Sequence, residues 1–113
     1  MIKLVTAIIK PHMFESVKDG LKGAGLLGLT VTEVKGFGRQ GGHTETYRGA
    51  EYTIDVIPKL KVEVVCTSDD AVRVMDIIRK CAHTGKIGDG KVWVIDVDQL
   101  LRVRTGEMGE EAI

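Results

Sequence analysis

KLKVEVVCTSDDAVRVMDIIRKCAHTGKIGDGKVWVIDV, residues 59–97, decides the fold, because its hydrophobic period changes from strand to helix and back again. Leu60, Val62, Val64 and Cys66 alternate with Lys59, Lys61 and Glu63, the two-residue period of a strand buried on one face. Ser68 then offers a helix cap, Asp69 and Asp70 suit a helix's positive end, and Val74, Ile77, Ile78 and Cys81 recur at helical spacing. Lys91–Val97 returns to strand, with Val92 and Val94 alternating against Trp93, Ile95 and Val97. Towards the amino end, Ile2–Ile9 is apolar on both faces and reads as a central strand stopped by Pro11. Phe14, Val17, Leu21 and Ala24 give a second helical stripe, which Gly20 weakens and Gly23 and Gly25 end. Leu29–Lys35 carries the β-branched Thr30, Val31, Thr32 and Val34 and reads as a strand.

The order is strand, helix, strand, a long loop, then strand, helix, strand: an α+β, ferredoxin-like βαββαβ sandwich made of two similar halves. With 113 residues the chain is one domain, residues 1–113. Such a chain buries about 65% of its unfolded surface, and 43% apolar residues fill that interior without disulfides. Both helices would cover one face of the sheet, yet the last strand is apolar on both faces. A second copy of the chain is expected to cover the open face, giving a homo-oligomer. Sixteen basic and sixteen acidic residues leave no overall field to draw in nucleic acid or anionic lipid, so any anion site must be a local cluster. Cys66 and Cys81 lie in apolar runs without metal-type spacing, and no signal-peptide layout or apolar run of about 20 residues occurs. These features lead to the expectation of a cytoplasmic protein with buried, reduced thiols.

Gly36–Pro58 has no hydrophobic period, and structureless stretches of about 20 residues are uncommon inside a domain and usually functional. It holds both tyrosines, Tyr47 and Tyr52, beside Arg48 and Glu51, which favours a partner-binding or modified loop. Gly36-Phe37-Gly38-Arg39-Gln40-Gly41 matches the dinucleotide fingerprint G-x-G-x-x-G, but no helix pattern follows to hold a pyrophosphate. Gly85–Lys91 has the G-x-x-x-x-G-K spacing of a P-loop, but Val92 stands where a hydroxyl should hold magnesium, and the segment leads from helix into strand. By itself it reads as a turn on Asp89-Gly90. Three glycines with Lys86 and Lys91 also supply the N–H groups and cations that a polyphosphate needs. Arg102 and Arg104, two apart in an extended segment, would point to one side as a guanidinium pair; the bland reading is a solvated edge. Together, loop and arginines favour a nucleoside polyphosphate site. Glu107, Glu110 and Glu111 make an acidic tail that is expected to be mobile. His12, His43 and His83 have no ligand spacing and read as surface or loop residues, and nothing obvious would activate a nucleophile. Binding without turnover is therefore expected, not an enzyme.

Ala7-Ile8-Ile9-Lys10-Pro11, the run Thr30–Gln40, Tyr47-Arg48-Gly49-Ala50-Glu51-Tyr52, Thr84–Lys91 and Arg102–Glu107 are together highly specific. Through them the whole chain resembles the PII family of nitrogen-regulatory signal proteins. The resemblance implies a homotrimer with ATP or ADP in each cleft between subunits. Nucleotide contacts would fall on Thr30, Gly38, Arg39, Val65, Gly88, Asp89, Gly90, Lys91, Arg102 and Arg104. It further implies 2-oxoglutarate bound beside magnesium and ATP through Gln40 and Lys59, with Gln40 and the ligands holding the metal. The long loop, about residues 37–57, would dock on ammonium transporters and on nitrogen-assimilation enzymes or regulators, bringing a cytoplasmic protein to the inner membrane when a transporter is bound. Tyr52 matches a tyrosine modified by a nucleotidyltransferase; no nucleic acid is implied. Two departures stand out. Gly41 replaces a basic residue, and Ala50 removes a hydroxyl that some relatives phosphorylate. Two other classes share the fold pattern: a small nucleotide phosphotransferase using a phosphorylated histidine, and a metal-tolerance trimer using Cys81 or His83.

Overall fold

Four strands pair antiparallel in the order β2-β5-β1-β6: β1 is Ile2–Ile9, β2 Leu29–Gly36, β5 Ile57–Thr67 and β6 Lys91–Asp96. Helix α1 (Phe14–Gly23) connects β1 to β2, and α2 (Ser68–Ala82) connects β5 to β6. The computed structural model describes the backbone of residues 1–37, 43–47, 50–54 and 56–113, and the side chains of 1–37 and 56–113. The expected α+β, ferredoxin-like arrangement is the one observed.

Side-chain alternation positions the two faces. Val5, Ala7 and Ile9 of β1 and Val62, Val64 and Cys66 of β5 point to the helices and are buried with Val17, Leu21, Val74 and Ile78. Each large aliphatic of that layer contributes about 1.5–3 kcal/mol relative to exposure, which holds both helices on one side. The other face carries Leu4 opposite Val65 and Ile95, and Ile8 opposite Lys61 and Lys91. There Trp93 and Ile95 remain 42% and 51% exposed, so this chain alone leaves an apolar sheet face open.

Several local expectations change. The stretch between β2 and β5 is not all loop: β3 (His43–Tyr47) pairs with β4 (Ala50–Ile54), Tyr47 opposite Ala50. Its polar residues hide the pairing, because backbone bonds between neighbouring strands need no apolar period. Helix α2 is capped by Thr67, whose hydroxyl accepts from the Asp70 N–H at 3.2 Å, and not by Ser68, whose hydroxyl donates to the Met1 carbonyl. Gly20 has a positive reason: a Cβ there would lie 2.6 Å from Cys81 Sγ and 3.0 Å from Ile77 Cγ2, so glycine lets the helices approach. The carboxyl-terminal segment folds back as a 3₁₀ turn over Gly109–Ala112, where Glu110 pairs with the Met1 amino group at 3.0 Å. That contradicts the expected mobile tail; Glu107 pairs with Arg102 and Glu110 with the Met1 amino group.

Candidate anion-binding site

The link from α2 to β6, residues 83–90, is built around one carboxylate. Asp89 Oδ2 accepts from the Thr84 and Gly85 N–H groups at 2.8 and 2.9 Å. Its Oδ1 accepts from the Thr84 hydroxyl and pairs with Lys10 Nζ at 3.2 Å. These bonds, the Thr84 hydroxyl first and then its N–H, hold the Asp89 carboxyl well below its ordinary value of 3.8. Gly85, Gly88 and Gly90 all have positive φ, which side chains rarely adopt. Gly90 also abuts strand β1, where a Cβ would lie 1.7 Å from the Ile8 carbonyl oxygen. Here, then, the spacing read as a turn on Asp89-Gly90 is a clasped loop pressed against the sheet.

Lys59 reaches this loop from β5, 29 residues away in sequence, and its Nζ donates to the Gly88 carbonyl at 2.6 Å. The residue is only 8% exposed. Burial lowers its ammonium below the ordinary 10.5; the charge of Lys10 pushes the same way and Asp89 opposes it. Among the described residues the Gly88 carbonyl is its one partner, and a buried cation gains from a carboxylate or phosphate brought beside it. Lys59 shares a cleft of about 390 Å³ with Ile8, Gly36, Phe37, Gly88, Gly90, Lys91 and Trp93. Behind the loop, between α2 and the sheet, a larger cavity of about 500 Å³ shares Gly90 and Lys91 but not Lys59. The first has the chemistry of an anion site, because its wall combines the buried ammonium, Lys91 and loop backbone.

Lys59, Gly88, Gly90 and Lys91 are brought together in this cleft. Asp89 does not line that cleft; its carboxylate is held by Thr84, Gly85 and Lys10, and it lines the cavity behind the loop. Thr30 and Val65 lie elsewhere on the open sheet face: by register Val65 is four rows from Lys91 and two strands across. Strand spacings make that about 13 Å along the sheet and about 10 Å across it. Arg102 and Arg104 do not form the extended pair. Residues 103–105 are a turn, closed by the Gly106 N–H donating to the Arg102 carbonyl, and Arg102 is bonded to Glu107 Oε1 at 3.1 Å and to the Ile113 main-chain oxygen at 2.6 Å. Arg104 is exposed, and neither arginine lines the described cleft. Gly38, Arg39 and Gln40 lie outside the described residues, so the expected magnesium ligand is not placed. Tyr52 falls on β4, its side chain outside those described. His12 and His83 are exposed. Sequence reasoning missed Thr84 and Lys10 as partners of the loop; the hydroxyl at the helix exit, five residues before Asp89, was the available signal.

A βαββαβ chain with both helices on one face and a lysine-bearing glycine loop at the sheet's end defines the structural class. The family model "Nitrogen regulatory protein P-II" matches residues 2–107. The chain is 55% identical over 112 residues to nitrogen regulatory protein P-II of Rhizobium meliloti (strain 1021), covering 99% of this chain and 100% of that one. To nitrogen regulatory protein GlnK of Escherichia coli (strain K12) it is 54% identical, and to P-II of Pasteurella multocida (strain Pm70) 52%, each with the same coverage. The chain belongs to the P-II family of nitrogen regulatory proteins. Those relatives carry the names of regulators, and among the described residues no helix is long and apolar enough to cross a membrane.

Proposed function

We propose that this chain senses ATP or ADP together with 2-oxoglutarate and relays their levels, through residues 37–57, to ammonium transporters and to nitrogen-assimilation enzymes or regulators. One observation carries the reading: the cleft holding Lys59, Gly88, Gly90 and Lys91 is also lined by Gly36 and Phe37, the entry to the β3–β4 segment. An anion there acts on the root of the segment that meets partners. Loop glycines and Lys91 receive the phosphates. Lys59 leaves the Gly88 carbonyl for a carboxylate of 2-oxoglutarate. Gln40 would hold magnesium, which neutralises the phosphates so that a dicarboxylate can bind beside them. The open face with Trp93 and Ile95 is covered by further copies in a homotrimer, in which Thr30, Val65, Arg102 and Arg104 belong to the clefts between subunits. Tyr52 is the residue a nucleotidyltransferase modifies, and the protein is cytoplasmic, visiting the membrane with its transporter.

Calorimetry with ATP and ADP tests the reading. Lys91→Ala and Arg102→Ala each lose a charge-assisted phosphate contact of about 1.5–3 kcal/mol, roughly tenfold or more in affinity. Unchanged binding in both variants removes the site. 2-Oxoglutarate is expected to bind measurably only with Mg-ATP, and to tighten ATP by the same factor that ATP tightens it. Equal 2-oxoglutarate affinity without nucleotide, or in Lys59→Ala, breaks the coupling. Intact-mass spectra of the protein from nitrogen-starved cells check Tyr52: an adduct lost in Tyr52→Phe supports the assignment, and its persistence refutes it.

A further inference from the structure

The glycine-rich loop contains an acid, Asp89, beside the groups that receive phosphate, and a free carboxylate there would repel the ligand. Its two oxygens are instead held by four donors: the Thr84 N–H, the Gly85 N–H, the Thr84 hydroxyl and Lys10 Nζ. Thr84 is common to most of this arrangement. Besides donating to Asp89 Oδ1, its Oγ1 accepts from Lys10 Nζ at 3.1 Å and from the Lys86 N–H at 3.2 Å. A hydroxyl has one donor and two acceptor positions, and all three are occupied. They join the end of β1 at Lys10, the start of the loop at Lys86 and its end at Asp89, next to the Gly90 contact with Ile8.

We propose that Thr84 is the positioning residue of this loop: its hydroxyl fixes the backbone in the shape that receives phosphate and keeps the Asp89 carboxylate turned away from the ligand. The inference rests on the nucleotide reading above. Thr84 itself need not touch the nucleotide. It acts by holding both ends of the Lys86–Asp89 span at fixed points, so that Gly88, Gly90 and Lys91 are presented together. Lys10 has the complementary role of supplying a cation to the inner side of the clasp, leaving Lys59 to face the cleft.

Thr84→Val keeps the volume and the formal charge and removes only the hydroxyl, whereas Thr84→Ser keeps it. ATP titrations of the full chain, repeated across a range of salt concentrations, are compared with Lys91→Ala. Thr84→Val is expected to weaken ATP binding about tenfold, and Thr84→Ser to restore it. The salt dependence should stay that of the parent protein in Thr84→Val, since no charge is lost, and flatten in Lys91→Ala. Unchanged ATP binding in Thr84→Val, with Lys91→Ala weakened, overturns the positioning role alone. If neither variant is weakened, the nucleotide site falls and the inference with it. A Thr84→Ser variant as weak as Thr84→Val also refutes the role assigned to the hydroxyl.

Discussion

The two halves of the chain use the same strand-helix-strand unit and differ most where each helix returns to the sheet. After α1 the chain passes through residues 24–28, where the N–H groups of Ala24, Gly25 and Leu26 bond back to Leu21 and Lys22, and β2 begins. After α2 it takes residues 83–90, with three positive-φ glycines and a carboxylate bound by four donors. The first connection stops a helix. The second builds a clasped loop beside the Lys59 cleft. Duplicating a supersecondary unit thus duplicates the core, while the connection is free to diverge, because its residues answer to few neighbours in the hydrophobic layer.

The glycines give the largest test of that difference. Gly90→Ala puts a Cβ 1.7 Å from the Ile8 carbonyl oxygen at φ 103°, so strand or loop must move, and a loss of about 3 kcal/mol or more is expected. Gly25→Ala meets nothing within 4 Å and carries only the cost of a left-handed alanine, about 1–2 kcal/mol. Denaturant unfolding of both variants decides; equal losses would mean that the two connections are equivalent after all. A smaller effect is expected where the halves touch. Gly20→Ala should raise helix propensity by about 1 kcal/mol, yet its methyl meets Cys81 Sγ and Ile77, so a net loss of up to about 2 kcal/mol is expected. Adding Cys81→Ala should restore stability, and a double-mutant cycle with no coupling would contradict the contact.

The smallest effect concerns acid. The folded Asp89 carboxyl lies below its ordinary 3.8, so its stabilisation is complete above that value and drains away as pH falls beneath it towards the folded value. Asp89→Asn lacks this contribution, and its unfolding free energy should change less than the parent's below pH 4. Identical acid profiles would show that the clasp is not ionic. No such pH dependence is expected from residues 24–28, which contain no titratable side chain.

Most of the fold was legible because it is written in local periods: the alternation of Val62, Val64 and Cys66, with Leu60 half-buried beside them, and the stripe Val74, Ile78 of α2 are the core faces. What escaped depends on partners distant in sequence or on polar pairing. Gly20 looks like a weak point in a helix until Cys81, 61 residues on, is packed against it. The β3–β4 pairing has no apolar alternation in His43–Tyr47 to announce it. Thr67 and Ser68 are both competent caps, and the choice turns on where the strand's extended backbone ends. At the site, glycines and lysines were visible as composition, whereas the clasp of Thr84, Lys10 and Asp89 needed coordinates. The arginine pair was misread because Gly106 closes a turn that an extended segment would not make.

Strand β5 also works as a ruler. It is central, pairing along eight residues with β1 and eight with β2, and Val62, Val64 and Cys66 sink into the helix-side core. Lys59 stands on the opposite side of the same pleat. A slip of one residue would turn the three core side chains out and Lys59 in, so the hydrophobic layer itself calibrates where the ammonium's stem emerges. Of the two partners joined across the cleft, the lysine stem is thus anchored by the whole sheet, and the Gly88 carbonyl belongs to a short connection. Under the proposed function, an anion that parted them would leave the adjustment to the glycine loop and the ammonium tip, not to the strand that measures the distance between them.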